Sequence, residues 1–103
     1  MQRYPVRPSH RANLLPDKLL PIALGVFETA EAADGRVRAR FGAITSLTAY
    51  GENRELAIEL VMDPRVEEAV AAETIKRYNR FLEEATGYSS KERAKRLRKS
   101  AGD

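Results

Sequence analysis

The chain has no cysteine and a single histidine, His10, among 103 residues. Without thiols there is no disulfide framework, thiolate nucleophile, iron–sulfur ligand set or zinc ribbon, and a disulfide-stapled secreted scaffold is excluded. One imidazole with no partner nearby in sequence builds neither a zinc site nor a catalytic triad, so His10 reads as a surface residue. Long apolar runs are also missing. The longest, Leu19 to Phe27, is interrupted by Pro21 and Gly25 and falls short of the roughly 20 residues of a membrane span. The amino terminus shows no signal-peptide core, and a cytoplasmic location is expected. The glycines are isolated, so no phosphate-cradling loop exists. Glu67-Glu68 and Glu83-Glu84 are adjacent on helices and point about 100° apart, which is not the paired-carboxylate geometry of a glycosidase. Ser89 and Ser90 read as caps, not nucleophiles. The expectation is a chain that is not an enzyme, with no catalytic residue, metal or cofactor. Its length suits one core and excludes a multi-domain enzyme.

What the chain does have is segregated charge. A formal +3 conceals six cations in residues 89–103 (Lys91, Arg93, Lys95, Arg96, Arg98 and Lys99) against Glu92 and Asp103, a local +4. Arg3, Arg7 and Arg11 add +3 in the first eleven residues, while residues 12–88 hold nine cations against thirteen carboxylates. The organisation predicted is one α+β domain over residues 1–88 and a basic C-terminal helix or tail over 89–103.

Residues 2–7 alternate as a short strand that Pro5 confines to an edge. A helix follows over Leu14 to Leu24, with Leu15, Leu19, Ile22 and Ala23 on one face, Pro21 as its weak point and Gly25 as its terminator. The pattern then changes to period two. Asp34-Gly35 is a type I′ hairpin signal, because that turn needs positive φ at both central residues. A two-residue turn sets Ala32 opposite Val37, Glu31 opposite Arg38, Ala30 opposite Ala39 and Thr29 opposite Arg40. Ala30, Ala32, Val37, Ala39 and Phe41 then face the core, and Thr29, Glu31, Arg36, Arg38 and Arg40 face outward. A second hairpin joins Ile44–Tyr50 to Glu55–Met62 through Gly51-Glu52-Asn53, with Leu56, Ile58, Leu60 and Met62 inward and Glu55, Ala57 and Glu59 outward.

Asp63-Pro64 resembles an N-cap and first helical position. Val66, Val70, Ile75, Tyr78, Phe81, Leu82 and Ala85 form one helical stripe reaching Thr86. A helix of that length spans about 34 Å, more than the roughly 27 Å of an eight-residue strand, so its first turns either separate or overhang the sheet. Gly87 fits a left-handed C-terminal cap, with Tyr88 folding back on Leu82. Ser89-Ser90-Lys91-Glu92 is a capping box opening a last helix. Ala94, Leu97 and Ala101 are that helix's only apolar residues, which predicts weak docking.

The order β-α-β-β-β-β-α plus a basic helix predicts a two-layer α+β sandwich, with one antiparallel sheet and helices on one face. The topology is that of a TATA-box-binding-protein half-repeat or, loosely, of helix-grip folds, by analogy only. The segment from Ile75 to Arg98, above all Phe81-Leu-Glu-Glu-Ala-Thr-Gly-Tyr followed by Ser-Ser-Lys-Glu-Arg, resembles the end of a small archaeal protein family with no assigned activity. The resemblance implies an archaeal source and carries over no functional residue.

Two constellations point to binding. Lys91, Lys95, Arg98 and Lys99 line one side of the last helix with Arg93 and Arg96 flanking, the density that phosphate backbones select for. The leading expectation is contact with an RNA or DNA backbone through residues 91–99, helped by Arg3, Arg7 and Arg11. If all six helix cations neutralised phosphates, log K would fall with log salt at a slope of about −5. The second constellation is the ladder Arg36, Arg38 and Arg40 on the outer sheet face, beside Thr48 and Tyr50, which matches single-strand binders in combining charge with an aromatic but lacks the second or third aromatic of an RRM-like platform. Glu31, Glu55 and Glu59 on the same face instead predict cross-strand ion pairs. The alternative function is a protein-interaction or homodimer module, using the last helix or an outer face built on Ile44, Ala57 and Val61. For Tyr78 and Asn79 a helix-to-sheet hydrogen bond is expected. No membrane partner is expected.

Overall fold

Three tight turns with positive φ, at Asp34-Gly35, Gly42 and Asn53-Arg54, organise the sheet of the computed structural model, which describes the backbone of residues 2–101 and the side chains of residues 2–96. The elements are β1 (Gln2–Pro5), a 3-10 helix (Pro8–Leu14), α1 (Pro16–Phe27), β2 (Ala30–Ala33), β3 (Arg36–Phe41), β4 (Ile44–Glu52), β5 (Glu55–Met62), α2 (Glu68–Thr86) and α3 (Ser90–Ala101). The five strands are antiparallel in the order β1-β5-β4-β3-β2. β2 to β5 form a meander, and β1 closes its far edge. Helices pack on the sheet, so the α+β sandwich expected from the sequence is the fold observed.

Asp34 and Gly35 have φ of 55° and 75°, as a type I′ turn demands. The β2–β3 register is the predicted one, with Ala32 opposite Val37 and Glu31 opposite Arg38. Thr29 lies just outside β2, and its hydroxyl donates to the Arg40 carbonyl at 3.3 Å. The second hairpin turns later than predicted. β4 runs to Glu52, and Asn53 and Arg54 take the positive φ values of 53° and 65°.

A bulge in β4 between Ile44 and Ser46 corrects the expected alternation. The extra residue reverses the parity of the strand, so Ile44, 2% exposed, faces the core with Leu47 and Ala49. Ala57 does point outward, but it is fully buried between its neighbours Arg3 on β1 and Tyr50 on β4. Of the three residues expected to build a dimer face, only Val61 is exposed.

The core lies between the inner sheet face and α1 and α2. Phe27 is its hub, with the Phe81 ring at 5.3 Å and the Phe41 ring at 6.1 Å, both tilted. That role explains why α1 does not stop at Gly25. The helix continues to bury Val26 and Phe27 and ends at Glu28, whose φ is 70°. Leu15 precedes the helix and is exposed. α2 begins only at Glu68. Asp63 Oδ1 accepts the Arg65 N–H at 2.9 Å, closing a separate turn, and the Asp63 N–H donates to the Ala43 carbonyl at 2.8 Å. The first turns of the predicted long helix are therefore a distinct piece. The buried side of α2 is narrower than the predicted stripe. Phe81, Leu82 and Ala85 are buried with the hydroxyls Thr74 and Thr86, whereas Val70 and Ile75 are exposed. Gly87 caps α2 with φ 80°, and a Cβ there would also meet the His10 ring and Arg7. Met62, predicted inward, is exposed at the end of β5. Among the described residues no helix is long and apolar enough to cross a membrane.

Candidate functional site

Successive residues of a strand point to opposite faces, and β3 turns Val37 and Ala39 into the core while Arg36, Arg38 and Arg40 stand on the outer face. The pairing of β2, β3, β4 and β5 aligns Glu31, Arg38, Thr48 and Glu59 in one row across the sheet. Next to this row the Arg36 guanidinium lies 4.4 Å from the centre of the Tyr50 ring. The three arginines, Thr29, Ser46 and Thr48 line an open groove of about 580 Å³, together with Glu31 and Glu59. The expected neutralisation by cross-strand ion pairs is not found. Among the described residues, Arg36, Arg38 and Arg40 have no carboxylate within ion-pair distance, and the ion pair on this face joins Arg3 to Glu52 at 3.2 Å. Arginine has five donors on a fixed plane and remains charged at neutral pH, so the groove presents three sets of donors suited to phosphate oxygens.

The cations at the two ends of the chain have a different fate. The capping box opening α3 forms as predicted, with the Ser89 N–H donating to Glu92 Oε1 at 3.1 Å and the Glu92 N–H to Ser89 Oγ at 3.2 Å. The backbone hydrogen bond from Ser89 is the main cause that holds the Glu92 carboxyl below the ordinary glutamate value. Arg7 donates to the Gly87 carbonyl and to Glu92 Oε2, both at 2.7 Å, and lies 4.5 Å from the Tyr88 ring centre. Arg96 lies 4.2 Å from the same ring. Arg93 is 4% exposed, and its guanidinium donates to the Tyr88 carbonyl at 2.6 Å and to Asn79 Oδ1 at 3.3 Å. Burial lowers its pKa from the ordinary arginine value. A polar anchor thus docks a helix whose apolar residues are few.

Of the terminal cations, Arg3, Arg7 and Arg93 are engaged within the fold. Arg11, Lys91, Lys95 and Arg96 are exposed, while the Arg98 and Lys99 side chains lie outside the described residues. α3 packs on α2 and β1, at the sheet edge opposite β2. Four strand spacings of about 4.8 Å put the two edges about 19 Å apart. The terminal cations and the β3 ladder are therefore separate features.

Tyr78 makes the helix-to-sheet bond expected of it, sharing a hydrogen bond with the Tyr4 hydroxyl at 3.1 Å and donating to Gln2 Oε1 at 3.3 Å. Burial, followed by the bond with Tyr4, raises its pKa above the ordinary tyrosine value. Asn79 instead serves α3 through Arg93. His10 is half-buried on the 3-10 helix, with Nδ1 2.9 Å from Ser9 Oγ. Among the described residues no cluster of three His, Cys, Asp or Glu side chains is placed to hold a metal ion. The groove was invisible in the sequence as a concavity, although the period-two arginines that line it were legible.

A family model described as a domain of unknown function, DUF5611, matches residues 1–99. The solution NMR structure of a hypothetical protein from Thermoplasma acidophilum is similar in fold, with a TM-score of 0.62 at 23% identity, covering 94% of this chain and 97% of that one. That neighbour is archaeal, in keeping with the resemblance seen at the C-terminal segment. No curated protein matches the chain.

Proposed function

The chain belongs to the DUF5611 family of unknown function, and we propose that it is a non-enzymatic nucleic-acid-binding module, cytoplasmic, whose contact surface is the outer face of the sheet. One observation carries this reading: Arg36, Arg38 and Arg40 share a polar groove and have no ion-pair partner among the described residues. Unpaired arginines on a firm sheet are ready to replace counterions along a phosphate backbone. The exposed Lys91, Lys95 and Arg96 on α3 add attraction at longer range, which falls off over a Debye length of about 10 Å at 0.1 M salt. In this reading the C-terminal helix assists, and the sheet makes the close contacts.

Fluorescence anisotropy with labelled RNA and DNA at several salt concentrations tests it. Two to three backbone contacts give a slope of about −1.5 to −2 in log K against log salt for a single strand. The triple variant Arg36→Gln, Arg38→Gln, Arg40→Gln abolishes binding, and the triple variant Lys91→Gln, Lys95→Gln, Arg96→Gln weakens it mildly. Absence of binding at low salt in the intact protein, or loss confined to the helix variant, refutes the assignment.

A second reading, self-association, is favoured by the exposure of Val61 and Met62. They sit on β5 beyond residues 55–58, the stretch that β1 pairs with. Light scattering decides it, since a strictly monomeric protein at high concentration removes this reading.

A further inference from the structure

We propose that the groove takes single-stranded RNA, with one base stacked on the Arg36 guanidinium and the phosphate backbone running along Arg38 and Arg40. The inference rests on the reading of the outer sheet face as the nucleic-acid surface and specifies what binds there.

The charge pattern sets the number of strands. Alternate residues of a strand are about 6.8 Å apart, so the three arginines make a straight row about 13.5 Å long. This row is one side chain wide. Arg38 has Glu31 on one side, on β2, and Glu59 on the other, on β5 two strands away. A single backbone can follow the positive row between these carboxylates. A duplex brings a second backbone, and its phosphates would approach Glu31 or Glu59, where like charges repel. Size points the same way, since a groove of about 580 Å³ is in the range of pockets that hold small ligands and accommodates nucleotides one at a time, not a helix.

The Arg36–Tyr50 pair supplies the base contact. Arg36 is exposed and its guanidinium is held over the Tyr50 ring at 4.4 Å. A planar cation backed by an aromatic ring offers a flat surface to a base, and unstacked bases of single strands stack on arginine planes. Duplex bases are already stacked and cannot use it.

The remaining lining favours ribose. Glu31 and Glu59 carboxylates accept hydrogen bonds, and the Ser46 and Thr48 hydroxyls both donate and accept. A 2′-hydroxyl beside the backbone can donate to such groups, and deoxyribose has nothing to offer them.

The test is anisotropy at fixed low salt with three probes of equal length: oligo(A), oligo(dA), and an oligo(A)·oligo(U) duplex. Expected is an affinity for oligo(A) about tenfold above the duplex and measurably above oligo(dA). Arg36→Lys keeps the charge but loses the plane, and it lowers affinity for oligo(A) about tenfold with an unchanged salt slope. Arg38→Lys keeps a backbone charge and leaves affinity near that of the unmodified protein. Both positions are exposed, and thermal melts confirm that the variants remain folded. Equal binding of duplex and oligo(A), or equal effects of the two lysine variants, overturns the single-strand proposal while nucleic-acid binding stands. Equal binding of oligo(A) and oligo(dA) overturns the choice of RNA. Failure of all three probes to bind the unmodified protein removes the nucleic-acid reading itself.

Discussion

Replacing Thr74 by valine tests how the β3–β4 turn is held against α2. Thr74 is fully buried, and its hydroxyl accepts the Ala43 N–H at 2.9 Å while donating to the Val70 carbonyl at 2.7 Å. Valine has nearly the same shape but cannot accept, so the buried Ala43 N–H is left without this partner. An unsatisfied buried donor costs about 1–3 kcal/mol, and about 2 kcal/mol is a fair central value. At about 2.1 cal/mol/K of unfolding entropy per residue, a chain of this length loses about 5 °C in Tm per kcal/mol, so Thr74→Val lowers Tm by about 10 °C. Thr74→Ser keeps the hydroxyl and removes one buried methyl group, costing roughly 1 kcal/mol and about 5 °C. Calorimetry of the two variants, checked by urea unfolding with constant m, gives the order. If Thr74→Val is as stable as Thr74→Ser, the hydrogen bond to Ala43 does not hold the turn, and the reasoning fails.

Two pH effects follow from the polar contacts. The Tyr78 pKa is raised by burial and by its bond with Tyr4, so the folded state favours the neutral phenol. The resulting stability is fully present below 10.0, the ordinary tyrosine value, and is lost as pH rises above it towards the folded value. Urea unfolding followed from neutral to alkaline pH shows this decline, and Tyr78→Phe flattens it. Should both proteins decline alike, Tyr78 is not the responsible group. Glu92 has the opposite sign, because its lowered pKa contributes stability above the ordinary glutamate value that is lost as pH falls through the folded value. Protection of the α3 amides, measured against the intrinsic exchange rate at each pH, therefore falls in acid, whereas Glu92→Ala, which has no capping acceptor, shows low protection at both ends of the range. Unchanged α3 protection in that variant would remove the capping box as the cause.

Local chemistry made most of the sheet legible. The Asp34-Gly35 turn, the Gly87 cap and the Ser89–Glu92 capping box each satisfy a demand of neighbouring backbone, and such demands are written within a few residues. Gly25 misleads because its propensity penalty of about 1 kcal/mol is smaller than the roughly 1.5–3 kcal/mol gained by burying a residue such as Phe27. The Ile44 bulge left no mark in the alternation. A single extra residue reverses which face a strand presents, and the pairings with β3 and β5 reveal it.

Charge was the least legible property, for a physical reason. A count by segment treats every cation as equally available, but availability depends on acceptors that the fold brings up from elsewhere. Arg93 meets Asn79 only because the chain reverses at Gly87, and Arg7 meets Glu92 only because the chain leaving β1 is tied to the end of α2, where the Arg7 N–H donates to the Thr86 carbonyl. A carboxylate or carbonyl within hydrogen-bond distance turns a guanidinium into a structural tie, at the expense of contacts to an outside anion. The acidic middle of the chain works in the reverse sense. Its carboxylates are numerous, yet none of those described pairs with Arg36, Arg38 or Arg40. The segment with net negative charge thus carries a row of available arginines, and the segment with the highest positive charge uses one of its own to dock itself.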